Sequence, residues 1–131
     1  MVPALFRISV SLGLFGMCFG LFMGLTHNFE LAAAHAHLNL LGFVVMFLAA
    51  LYYRVVPEAA KSRLAPFHAG VSAFGAVFFP IGIACVTIGG HERYQRVVDA
   101  GGATVIVGMA LFAVIVYRTA GYAGRPLGDT R

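Results

Sequence analysis

The sequence predicts an all-α membrane protein, with four transmembrane helices in a single bundle or arc and both termini in the cytoplasm. Three observations lead there. Of its 131 residues 60% are hydrophobic, and the 16 glycines come on top of that. Only 11% are charged, against about 25% in a typical soluble domain, too few to cover a water-facing surface. The apolar residues also gather into four stretches, 8–26, 32–53, 67–88 and 97–117, each close to the ~20 residues that cross hydrocarbon. Disorder and a disulfide scaffold are excluded by the same composition, which includes only 2 cysteines. The formal charge of +4 lies between apolar runs. Cations placed there set membrane orientation, so no nucleic-acid partner is expected.

The first stretch carries Gly16, Gly20 and Gly24 at four-residue spacing, with Gly13 near the same face. Small residues in that pattern let helices approach closely, within the chain or between subunits. Ala32-Ala33-Ala34 resembles a cleavage site, but the apolar run before it is longer than a signal core. It is expected to be a retained helix. In the second stretch Ala49-Ala50-Leu51 is apolar all round, as is Val105-Ile106-Val107 in the fourth, as lipid-facing helices require. Pro80 interrupts the third, where a kink is tolerable. Residues 118–131 turn to Gly, Pro, Arg and Asp and are expected to form a short polar tail.

Arg7, Arg54, Lys61, Arg63, Arg118, Arg125 and Arg131 fall on one side, and Arg93 and Arg96 on the other. That bias places both termini in the cytoplasm, across an inner membrane of bacterial type. Tyr52, Tyr53 and Tyr117 then lie near the cytoplasmic ends, as aromatic anchors do. Cys18 and Cys85 fall in different apolar stretches and read as small hydrophobes. Met17, Met23, Met46 and Met109 read as packing residues.

The histidines are the chemically informative residues. His27, His35, His37 and His91 belong to the outer half, and only His68 to the cytoplasmic side. An imidazole in hydrocarbon requires a partner. His35 and His37 are two residues apart, about 200° around an α-helix, and point to opposite faces. His35 shares its face with Asn39, Gly42, Met46 and Tyr53; His37 shares the other with Leu41, Val44, Leu48 and Leu51. The aliphatic surroundings of His37 suit an apolar ring, and haem iron is held by imidazole nitrogen between helices. His68 lies roughly 20 Å away in depth, too far to be the other axial ligand, and is expected at the interface, paired with Ser72. Arg93 and Arg96 read either as a solvated loop with an Arg96–Asp99 pair or as anchors for haem propionates.

The run His35-Ala36-His37-Leu38-Asn39-Leu40-Leu41-Gly42 resembles the haem-ligand helices in the catalytic subunit of heme-copper oxidases and nitric oxide reductases. Tyr52-Tyr53 and Pro57-Glu58 extend the likeness, which covers about 25 residues. The family's catalytic subunit has twelve or more helices in three four-helix arcs, and the chain has four, resembling one arc. The resemblance implies haem of the b type, with His37 as an axial ligand and His35 as a second-site ligand or supporting group. Arg93 and Arg96 fall where the family holds propionates. Copper is left open, because the third helix lacks the adjacent histidines that bind it, and complete oxidase or reductase activity is not expected.

The expected function is therefore haem binding in a membrane, serving electron transfer or diatomic-gas binding, with Asn39 beside the ligands and an unspecified electron donor. The alternative is a copper or zinc carrier using His27, His35 and His91. A third reading is an assembly subunit with relic histidines. A homotrimer is expected, since three four-helix copies give twelve helices, with a twofold dimer as its rival. The second axial ligand would come from a neighbouring copy or from His91.

Overall fold

The computed structural model describes residues 1–122, and among these every regular element is helical. Four helices are long and apolar enough to cross a membrane: α1 (Val2–Thr26), α2 (Ala32–Val55), α4 (Ala65–Gly89) and α5 (His91–Thr119). A short helix α3 (Pro57–Lys61) joins α2 to α4, and a 3₁₀ turn, Ala120–Tyr122, follows α5. Arg125, Arg131 and most of the expected polar tail lie outside the described residues.

Local chemistry sets the boundaries. Pro3 and Pro66 stand in the first turns of α1 and α4, where a missing N–H costs nothing. At the end of α1, His27 adopts φ 52°, and the next N–H groups close on Gly24 and Met23. Such a left-handed cap satisfies carbonyls that the helix leaves open. Pro57 holds Val56 extended and so ends α2. Gly90, at φ 92°, reverses the chain between α4 and α5 within one residue.

All four spanning helices are longer than their apolar stretches at one end or both. The largest differences are at the starts of α1 and α5, which begin at Val2 rather than near residue 8 and at His91 rather than near residue 97. Hydropathy marks the part immersed in lipid, whereas backbone hydrogen bonding continues into the polar turns beyond it. His91, Arg93 and Arg96 therefore stand on a helix and not in a loop.

The middle of α2, Leu38–Val45, is a π-helix. Its i→i+5 bonding winds the chain more widely and alters which residues share a face. The expected His35 face continues through Asn39 to Gly42, which lies against Leu12 of α1, and Phe43 joins it against Gly13; farther along, the Tyr53 hydroxyl reaches His68 on α4.

Two seams hold the bundle. Along the first, Gly20, Gly16 and Gly13 of α1 lie against the side chains of His35, Asn39 and Phe43. The glycine ridge is used within the chain up to Gly20, and Gly24 meets nothing. Along the second, Gly75 and Gly82 of α4 alternate with Gly101 and Gly108 of α5. A Cβ on Gly101 would lie 2.8 Å from the Phe79 Cα, and one on Gly82 would lie 3.2 Å from the Val98 nitrogen. Here the backbones themselves are in contact.

The core gathers at one end, around Leu5, Met46, Ala50, Tyr53, Val56, Ala65, Ala76 and Ile115. Elsewhere large apolar side chains point outward, among them Phe15, Met17, Leu21, Phe22 and Leu25 of α1. In water such a surface would aggregate; in lipid it is the ordinary exterior.

Candidate functional site

His35 and His37 leave α2 on different sides, and their hydrogen bonds give them different chemistry. The His35 ring lies edge-on to Phe19, over Gly20. The Asn39 amide donates to His35 Nδ1 at 3.2 Å and to the His35 carbonyl at 3.1 Å. An Nδ1 that accepts leaves the proton on Nε2, so this imidazole has no lone pair left for a metal. His35 and Asn39 together form a half-buried polar pair in the α1 seam.

His37 is the reverse case. Its Nδ1–H donates to the Ala33 carbonyl at 2.8 Å, one turn back on the same helix. That bond fixes the tautomer in which Nε2 carries the lone pair, as in metal-binding histidines oriented by a backbone carbonyl. The ring is half-buried and packs edge-on against Phe79 of α4, centroids 5.1 Å apart.

His91 has the same tautomer by a different route. Its Nδ1–H donates to Gln95 Oε1 at 2.8 Å, and Gln95 Nε2 donates to Asp99 at 2.8 Å. Asp99 is thus engaged by Gln95, and the expected Arg96–Asp99 pair does not form: among the described residues the one ion pair is Lys61–Glu58. Glutamine is closer on the i+4 ridge, where neighbouring turns bring side chains together. Arg93 lies over the Tyr94 ring, 5.5 Å from its centroid, and Arg96 is exposed.

Depth decides what these groups can share. Phe79 touches both His37 and Gly101, so His37 lies at the level of Gly101. Arg96 is five residues nearer the helix end, about 8 Å at the α-helical rise, and Arg93 about 12 Å. His91 is about 15 Å away. Axial nitrogens must lie within about 2 Å of one iron, by the standard of other metal–imidazole bonds, so His91 of the same chain is excluded as the partner of His37.

His68 is not paired with Ser72. It is 2% exposed, its Nδ1 shares a 2.8 Å hydrogen bond with the Tyr53 hydroxyl, and its ring stacks on Phe112. Ser72 instead lies over Gly108. A cavity of about 30 Å³ lies beside His68 and Ser72, enough for a water. Tyr53 of α2 supplies the hydroxyl, and nothing in the local sequence signals that pairing. Tyr53 stands 16 residues beyond His37, so His68 is at the far end of the bundle, as expected.

Among the described residues no three His, Cys, Asp or Glu side chains gather into a group that could hold a metal ion. The carrier reading from His27, His35 and His91 therefore finds no site within one chain. His27 caps α1, and His35 is consumed by Asn39. Cys18 and Cys85 are unbridged, Cys18 on the exposed surface.

These features define a multi-pass helical membrane protein in which the His37 imidazole is presented, with Nε2 free, from a spanning segment. Compared with protein-family models, curated proteins and solved structures, the chain matches none.

Proposed function

We propose that the protein binds haem, with His37 Nε2 as an axial ligand, and serves electron transfer or diatomic-gas binding. The observation that carries this reading is the His37–Ala33 hydrogen bond, which leaves Nε2 basic on a half-buried ring. The donor set fits one side of a haem. A neutral imidazole stands among apolar neighbours, and Arg93 and Arg96, without carboxylate partners among the described residues, stand farther out on α5. These arginines would hold the propionates by charge-assisted hydrogen bonds. Bound haem would supply a redox-active, gas-binding iron. The protein would fix the imidazole tautomer, exclude water with Phe79 and its apolar neighbours, and neutralise the carboxylates. This reading agrees with the resemblance to heme-copper oxidases and nitric oxide reductases, and it does not extend to their complete chemistry.

A sixth ligand would come from another copy. The threefold assembly needs His35 to serve the neighbouring space, whereas its lone pair is taken by Asn39. A twofold pair of His37 side chains across one haem is the simpler assembly, and native mass spectrometry in detergent separates it from a trimer. Arg7, Arg54, Lys61, Arg63 and Arg118 at one end favour cytoplasmic termini in an inner membrane.

The test is an absorption spectrum of protein expressed with ample haem. Wild type should show a Soret band, His37→Ala should lose it, and His35→Ala should keep it. A wild type without the band refutes the proposal, and a band that survives His37→Ala moves the site elsewhere.

A further inference from the structure

A wide groove lies away from the histidines, at the end of the bundle where the cations gather. It measures about 630 Å³ and opens between the start of α1 and the junction of α2 with α3. Its walls are apolar, with Pro3 and Phe6 on one side and Pro57 on the other. Two cations line it from different helices, Arg7 from α1 and Arg54 from the last turn of α2. A second depression, about 410 Å³, shares Phe6 and Arg7 and continues along α1 past Val10.

Arg7 is the unusual member. It stands five residues inside α1, about 8 Å from the helix start, between Phe6 and Ile8. It immediately precedes the apolar stretch 8–26, at the level where a long cationic side chain reaches the headgroup region. Neither Arg7 nor Arg54 has a carboxylate partner among the described residues, since the one ion pair is Lys61–Glu58. The groove thus offers a doubly cationic head region and an apolar track leading from it along a membrane helix. Those complement the two halves of an anionic amphiphile.

We propose that this groove is a binding site for an anionic phospholipid, with the phosphate held between Arg7 and Arg54 and an acyl chain along Phe6 and Val10. Guanidinium groups match phosphate oxygens in a two-pronged geometry. Basic pockets between spanning helices hold anionic headgroups by the same chemistry. The site is separate from His37 and does not depend on haem being bound.

The test is native mass spectrometry of the full chain from micelles with equimolar phosphatidylglycerol and phosphatidylcholine. Wild type should retain phosphatidylglycerol preferentially, and the preference should fall as salt is raised. Each arginine should contribute about fivefold, so R7Q/R54Q should lower the preference roughly 25-fold. R7K/R54K, which keeps the charges, should retain most of it and controls for folding. K61Q/R63Q, which removes cations at the same end but outside the groove, should leave it unchanged. Equal retention of the two lipids by wild type overturns the proposal, and so does an equal loss in K61Q/R63Q. Displacement of the lipid by an equal concentration of inorganic phosphate also overturns it, because the site would then recognise the ion alone.

Discussion

The two seams of the bundle use glycine for different purposes. Between α1 and α2 the glycines make room for side chains: His35 over Gly20, Asn39 beside Gly16, Phe43 on Gly13. Between α4 and α5 they make room for backbone, with Gly101 against the Phe79 Cα and Gly82 against Val97 and Val98. A side chain can rotate away from an added methyl group, and a backbone inside a helix cannot. The first seam is therefore adjustable and the second rigid. The imidazole proposed to hold iron lies between them, rooted in the adjustable pair and packed on Phe79 of the rigid one.

The sharpest way to break this contrast is an oversized residue in the rigid seam. Gly101→Leu should destabilise the protein by about 3 kcal/mol or more, since neither Phe79 nor its helix can yield. Reversible unfolding in mixed detergent measures it; a loss well under that figure would mean that α4 and α5 are not locked.

Next comes one of the bonds that tie the two halves together. Tyr53→Phe removes the hydroxyl that His68 uses and leaves a polar nitrogen buried without it. The expected cost is about 2 kcal/mol. The same unfolding measurement reports it, and an unchanged midpoint would show that water in the neighbouring cavity replaces the hydroxyl.

A smaller effect is expected in the adjustable seam. Gly16→Ala pushes Asn39 off its place and weakens its bonds to His35, at about 1 kcal/mol. Asn39→Ala should remove most of the penalty of the added methyl. The double variant should thus be little worse than Asn39→Ala alone, and additive losses would place the clash elsewhere.

The smallest effect belongs to Gly24, which meets nothing within the chain. Gly24→Ala should stabilise α1 by about 0.5–1 kcal/mol through its better helix propensity. A measurable loss, or a changed oligomeric mass, would show that this end of the ridge packs against a second copy.

Much of this protein is determined by sequence alone. Helix number and approximate placement follow from hydropathy, because hydrocarbon admits only segments that satisfy their own backbone groups. That His35 and His37 diverge is also fixed by sequence, since two residues of helix turn through about a half-circle in either the α or the π winding. The glycine ridge of α1 was legible as a close-packing surface.

Tertiary structure alone decided which imidazole can act. The lone pair is on Nε2 in His37 because Ala33 accepts from Nδ1, and it is absent there in His35 because Asn39 donates to Nδ1. Hydrogen bonds of that kind depend on rotamers, and rotamers depend on what lies across the seam. The π-helix of Leu38–Val45, the Tyr53–His68 bond and the start of α5 at His91 were equally hidden. A periodicity argument assumes one uniform winding, and hydropathy records where lipid is and not where hydrogen bonding stops. The seven-residue spacing of Gly75 with Gly82, and of Gly101 with Gly108, was present in the chain. Its meaning came only from seeing the two sets interleave across antiparallel helices, where the absence of Cβ lets one backbone rest on the other.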